Sequence, residues 1–219
     1  MPQLISSLRI RLSIIAFVIS AILFVSYPAI RPFSDESSLQ GAAAFVSAEW
    51  MVSHMLAMVA FTLLPLGLLG LYHSLQKTAV ARMTYWAFVL GQIGVGFTLP
   101  FYGGETYGLH AIGKEAIRQQ SDNLVSLESV VRSGPGLMLF LVGMLLLAVA
   151  SILVAFAIGR SRRYFKWSGI PFALGMLLYL PQFFADQPLR VAHGILVAIG
   201  CLWIAVELSR QNKRAGNER

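Results

Sequence analysis

The stretch GLMLFLVGMLLLAVASILVAFAI, Gly136 to Ile158, decides the fold class. It holds no charged residue, and a helix of this length, rising about 1.5 Å per residue, reaches across a hydrocarbon core of roughly 30 Å. Ser133 and Gly134 precede it, and Pro135 is a first-turn proline that opens the helix. Working outward, five more runs read as spans: 12–30, 51–72 and 83–101 before it, 167–185 and 190–208 after it. No strand-type alternation competes, and an open sheet cannot face lipid. The reading is an all-α polytopic transmembrane bundle of six spanning helices, a single domain over residues 1–219.

Composition agrees with this reading. The chain is 57% hydrophobic and only 12% charged, where a soluble domain carries about a quarter charged residues. Its mean hydropathy is +0.69. A net charge of +7 invites a nucleic-acid reading, but the basic residues flank the apolar runs, where orientation signals belong. No nucleic-acid partner is expected. The one cysteine, Cys201, lies inside an apolar run and reads as a small packing residue. The first run follows Arg9 and Arg11 as a signal peptide would. It is long and lacks a small-residue cleavage site, so it reads as a retained helix.

Charge sets the orientation. Six spans put Arg9, Arg11, Lys77, Arg82, Arg160, Arg162, Arg163, Lys166, Arg210, Lys213, Arg214 and Arg219 on one side, twelve of the 17 basic residues. Arg31, Lys114, Arg118, Arg132 and Arg190 fall on the other. The positive-inside rule makes the first side cytoplasmic, with both termini there, in a cytoplasmic membrane. Eight of the ten acidic residues then lie outside. Two outer connections are long, 31–46 and 103–134. In the second, Ser121-Asp122-Asn123 can cap a short amphipathic helix carrying Leu124, Leu127 and Val131.

Ionisable residues near lipid are costly and mark functional candidates. Glu49 and His54 fall at the outer end of the second span. Glu105 and His110 follow the third, Asp186 ends the fifth, and Arg190 and His193 open the sixth. The outer end therefore gathers His54, His110 and His193 as candidate metal ligands. Glu49, Glu105 and Asp186 are candidate acid–base residues. Their spacing matches no two-histidine zinc motif. Met51, Met55 and Met58 around His54 suit copper, although gap-filling is the ordinary role of such methionines. Alternatively, His54 and His193 ligate a haem b, with Arg190 on a propionate. Trp50 and Tyr107 read as interfacial aromatics. His73 reads as an interfacial histidine, and Glu207 as paired with Arg210 one turn on. Gln92, among Gly91, Gly94 and Gly96, reads as an interhelical hydrogen-bond former. Ser53 and His54 are not expected to act as a dyad, because adjacent helix positions point about 100° apart.

The segment Trp50-Met51-Val52-Ser53-His54, leading into Leu66-Gly67-Leu68-Leu69-Gly70-Leu71-Tyr72, resembles small bacterial multi-pass membrane proteins of unassigned function. The resemblance implies a bacterial membrane setting and transfers no functional residue.

Three functions stay open on the sequence. One is a metal, haem or acid–base site for a lipid-like substrate at the outer leaflet. A second is a transporter of small molecules, which predicts polar residues continuing inward beyond Gln92, Thr62 and Thr98. A third is a structural or accessory protein without catalysis. Membrane lipids and a lipophilic small molecule are the expected partners.

Overall fold

A computed structural model describes residues 2–217, with side chains over 8–214. It is helical throughout, with no strand among the described residues. The elements are α1 (Pro2–Ile30), α2 (Leu39–Val46), α3 (Ala48–Leu75), α4 (Ala81–Gly103), α5 (Leu109–Gln119), α6 (Asp122–Val125), α7 (Glu128–Val131), α8 (Gly134–Ser161), α9 (Ile170–Leu177) and α10 (Gln187–Asn217). A π-helical stretch, Gly104–Gly108, joins α4 to α5, and a 3₁₀ turn, Pro181–Phe184, follows α9.

Among the described residues, five helical runs are long and apolar enough to cross a membrane: Leu8–Ile30, Ala48–Leu75, Ala81–Gln119, Gly134–Ser161 and Gln187–Arg214. Their outward faces carry large apolar side chains such as Ile22, Val59, Ile93, Leu145 and Ile199. Water would penalise such a surface and hydrocarbon does not. The run expected at 167–185 behaves differently. Only eight of its residues form α9, and three turn residues follow. Pro181 has no N–H for the Leu177 carbonyl, and the backbone leaves helical geometry at Leu178 (φ -85°, ψ 3°), so the helix stops short. Two side-chain and backbone contacts take over. His193 Nε2 lies 2.7 Å from the Gly175 carbonyl, which is among the last in α9 and would otherwise be orphaned. Tyr179 N donates to Met176 O.

The long elements close into a ring in chain order: α1 packs on α3, α3 on α4, α4 on α8, α8 on α9, α9 on α10, and α10 back on α1. Glycines set the close approaches. A Cβ on Gly94 would lie 2.8 Å from the Gly143 carbonyl, and one on Gly143 would lie 2.7 Å from the Gly94 carbonyl. Glycine at this α4–α8 crossing lets the two backbones touch. Gln92 corrects its expectation: it faces outward from α4, and the hydroxyls of the same helix, Thr84 and Thr98, bond to their own helix carbonyls instead.

Basic residues Lys77, Arg82, Arg160, Arg162, Arg163, Lys166, Arg210, Lys213 and Arg214 gather at one end of the ring. There Arg163 donates to Ser74 O, and Glu207 pairs with Arg210 at 2.8 Å while accepting from Phe165 N. The opposite end carries a cap. Ala42 and Phe45 of α2, Trp50 of α3, Leu109 and Ala116 of α5, and Val125 of α6 form a small core of their own. The helix expected after Ser121-Asp122-Asn123 is divided between α6 and α7, Ser121 makes no side-chain cap bond, and α5 precedes it. Leu124 and Val131 pack on the cap core, whereas Leu127 is exposed. Isolated helices this short are unstable in water, so packing against the cap core holds them.

Candidate functional site

Beneath the cap lies a cavity of about 540 Å³, bordered by α1, α3, α4, α8, the π-helical stretch, the 180–184 segment and the start of α10. Its walls differ in character. Arg31, Glu36, His54, Glu105 and Arg132 form a polar, mostly charged cluster in its lining, with Arg190 apart from them on α10. Phe101, Leu137, Phe140, Leu141, Leu180 and Phe184 supply apolar lining.

The polar wall begins with α3. Ser47 caps this helix by accepting from Trp50 N at 3.1 Å, which fixes the first turn. Trp50 is fully buried rather than interfacial, contrary to the sequence expectation. Its Nε1–H donates to the Glu105 carbonyl at 2.8 Å, its ring meets Phe45 edge-on at 4.8 Å, and the Arg31 guanidinium lies over it at 4.6 Å. A π-helix leaves carbonyls without their usual partner. Here side chains supply them: Trp50 serves Glu105 O, and Thr106 Oγ serves Tyr102 O at 2.6 Å. The sequence places these donors where the wide turn needs them, and the wide turn aims Glu105 inward.

One helical turn after Trp50, His54 Nδ1 lies 2.8 Å from the Trp50 carbonyl. A carbonyl only accepts, so Nδ1 carries the proton and the neutral ring keeps its lone pair on Nε2. Nε2 faces Glu105 Oε2 at 3.7 Å, too far for a direct hydrogen bond. Ser53 Oγ does lie 3.3 Å from Nδ1, but its own proton goes to Trp50 O at 2.9 Å, so Ser53 holds the ring's far side and is no dyad partner.

Arg132, between α7 and α8, organises the acids. It donates to Glu105 Oε1 at 2.6 Å and Oε2 at 3.0 Å, to Glu36 at 2.6 Å and to Glu128 at 2.9 Å. Arg31 holds the other oxygen of Glu36 at 2.6 Å. Burial alone would raise the Glu36 carboxyl, but the Arg31 and Arg132 charges outweigh it and hold the group below its ordinary value. Burial likewise disfavours the Arg132 cation, yet its bonds to Glu105 and the charge of Glu36 push it above the ordinary arginine value. The chain Arg31–Glu36–Arg132–Glu105 therefore ties the first connection, the α7–α8 junction and the π-helix together, and the Trp50 bond to Glu105 O joins α3 to them.

Two tyrosines, Tyr27 and Tyr102, line the cavity, and a third, Tyr179, bonds to both. Tyr179 Oη lies 2.9 Å from Tyr27 Oη and 3.0 Å from Tyr102 Oη. Phe24 and Phe61 pack edge-on against Tyr179. The buried hydroxyls of Ser20 and Thr98 are each taken by a backbone carbonyl, Ala60 O and Gly94 O.

The expected site residues separate. His54, Glu105 and Arg190 meet the cavity. His110 Nδ1 lies 3.1 Å from Phe45 O inside the cap. Glu49 is exposed, and Asp186 is exposed and caps α10 by accepting from Leu189 N. His193 is taken by α9, and its ring meets Tyr179 edge-on at 5.1 Å. Tyr102 and Tyr179 stand between the rings of His54 and His193, so the two do not address a common haem iron. Met55 points outward and does not join His54. No group of three or more His, Cys, Asp or Glu residues among the described residues is placed to hold a metal ion. Sequence reasoning missed Arg31, Glu36, Arg132 and the tyrosines as site residues, and placed Gln182 only by its depth at the end of the fifth span. Their one sequence signal was Arg31, Arg132 and Arg190 falling on the side the charge rule assigns few basic residues.

Compared with known proteins, no family model, curated protein or solved structure matches the chain.

Proposed function

We propose that this chain is a six-crossing protein of a bacterial cytoplasmic membrane, with both termini in the cytoplasm. Its capped cavity opens at the outer leaflet and receives the polar head of a lipid-like molecule, and His54 acts as proton acceptor. The basic end supports the orientation by the positive-inside rule. Support for a sixth crossing comes from the 165–183 segment, which follows α10 from Glu207, bonded to Phe165 N, to Arg190, bonded to Phe183 O. Irregular backbone of this kind is tolerated at membrane depth where protein buries it.

The observation that carries the functional reading is His54 Nε2 facing Glu105 Oε2 at 3.7 Å, beyond direct hydrogen-bond distance, in a cavity otherwise lined largely by apolar side chains. Two acceptors held face to face accommodate a hydroxyl or a protonated amine between them. When Nε2 takes that proton, the donor is left as an alkoxide or, from an ammonium, as a neutral amine, and the imidazolium forms beside the Glu105 carboxylate, which stabilises it. Arg132 keeps the carboxylate in place. The volume lies in the range of about 300–1,000 Å³ typical of small-molecule sites. The buried tyrosine, Ser20 and Thr98 hydroxyls bond to one another or to carbonyls, which favours binding and proton transfer over passage through the bundle.

Native mass spectrometry of the detergent-purified protein tests this reading. The wild type should carry about one amphiphile per chain, and Leu141→Trp, which fills the apolar wall, should lose it. Absence of bound amphiphile from the wild type, or equal occupancy in both proteins, would overturn it.

A further inference from the structure

The cavity has a second pole that the His54–Glu105 pair does not use. Arg190 lines it, yet makes no ion pair among the described residues. Its Nε donates to Ala185 O at 2.9 Å and one terminal nitrogen to Phe183 O at 2.6 Å. These bonds fix the guanidinium and leave donors over. The Phe33 ring carries Arg190 at 5.0 Å and Arg31 at 4.8 Å, so two cations share one ring, and only Arg31 has a carboxylate.

Gln182 is the second, independent observation. It is only 6% exposed, it borders the cavity, and neither its Oε1 nor its Nε2 has a hydrogen-bond partner. Leaving a buried amide unpaired is costly, and a native fold keeps such a group where something else completes it. Phe184, 95% exposed, stands at the same rim beside the apolar wall. A cation with spare donors, an unpaired amide and an apolar exit are therefore contiguous.

We propose that this pole holds an anionic group, a phosphate or carboxylate, of the bound amphiphile, with Arg190 as its counter-ion, Gln182 as a neutral donor and the acyl chain leaving over Leu141 and Phe184. This rests on the amphiphile reading of the cavity and adds the ligand's charge. A guanidinium with free donors suits an oxyanion, and a charge-assisted hydrogen bond is roughly twice as strong as a neutral one.

The test is a titration of the full-length protein, in nonionic detergent, with phosphatidic acid, phosphatidylglycerol, phosphatidylcholine and diacylglycerol of matched chains, read by native mass spectrometry. Phosphatidic acid and phosphatidylglycerol should bind at least about tenfold more tightly than diacylglycerol. Arg190→Gln should erase that preference while diacylglycerol still binds, and Arg190→Lys should keep it. Gln182→Leu removes an unpaired amide and is expected to fold normally; it should weaken the anionic lipids alone by several-fold. If Arg190→Gln does not fold, the Lys and Leu variants decide. Equal affinity for charged and uncharged lipids, or an unchanged preference in Gln182→Leu and Arg190→Gln, would overturn the inference while leaving the amphiphile site standing. Inorganic phosphate displacing phosphatidic acid at equal concentration would make the ligand a free anion and overturn the lipid part. Failure of every lipid to bind would overturn the parent reading itself.

Discussion

Replacing Arg132 with Met keeps much of the side chain's volume and removes its charge. Four hydrogen bonds to three carboxylates disappear together. They are not equal in weight. Glu36 keeps Arg31, and Glu128 is partly exposed, so those two losses fall near the ~0–1 kcal/mol of solvent-screened pairs. Glu105 is different: its side chain is only 10% exposed, and Arg132 is its one guanidinium partner. Stranding a buried charge costs about 3–5 kcal/mol. The 25% exposure of the Arg132 side chain argues for the lower end, about 3 kcal/mol. For a chain of this size each kcal/mol moves the unfolding midpoint by about 2–4 °C, so the shift should be about 6–12 °C. Scanning fluorimetry in detergent reads this directly. Adding Glu105→Gln to Arg132→Met removes the stranded charge and should recover more than half the loss. A shift under 2 °C, or a double variant as unstable as the single one, would refute the assignment of Arg132 as the organiser of the acids.

Three further outcomes follow from the same geometry. The Glu36 carboxyl titrates below its ordinary value of 4.5, so its contribution is complete above that pH and is lost as pH falls through the depressed value. Hydrogen exchange in α2 and α5, corrected for intrinsic rates, should hold steady from neutral pH to about 4.5 and rise below it, and Glu36→Gln should flatten this response. Trp50→Phe leaves the Glu105 carbonyl without its donor and should cost about 2 kcal/mol, measured as a lower unfolding midpoint and faster exchange across 104–108. His193→Leu frees the Gly175 carbonyl at the end of α9; exchange over 175–179 should rise severalfold while α3 and the cap stay protected.

The helical class and five apolar helices were legible in the sequence because a long uncharged run has few other fates, and Gly136–Ile158 illustrates this. The 167–185 run misled for a physical reason. Its apolar composition is continuous, while Pro171 and Pro181 act on the backbone, opening α9 and stopping it. The cap was only partly legible. Leu39–Val46 is too short to stand as a helix by propensity and exists because Phe45 and Ala42 meet α5. Of the site, His54, Glu105 and Arg190 were visible as ionisable groups at one depth. Glu49 and Asp186 shared that depth but point to solvent, since depth says nothing about which way a side chain faces. Tyr27, Tyr102 and Tyr179 meet across sequence separations of 77 and 152 residues, which no local pattern encodes. Gln92 misled in the opposite sense: a polar residue among glycines was read as buried, but Gly94 faces α8, Gly91 faces Leu68 of α3, and Gln92 and Gly96 face outward.

The most direct measurement is the ¹⁵N spectrum of imidazole-labelled protein in lipid-free detergent, with His54 assigned by His54→Gln, before and after addition of the amphiphile that co-purifies with the chain. The account predicts a neutral His54 protonated at Nδ1 in the empty protein, with an Nε2 resonance that moves towards a hydrogen-bonded or protonated position on saturation. A ring protonated at Nε2 in the empty protein, or an Nε2 resonance unmoved by saturating ligand, would contradict it.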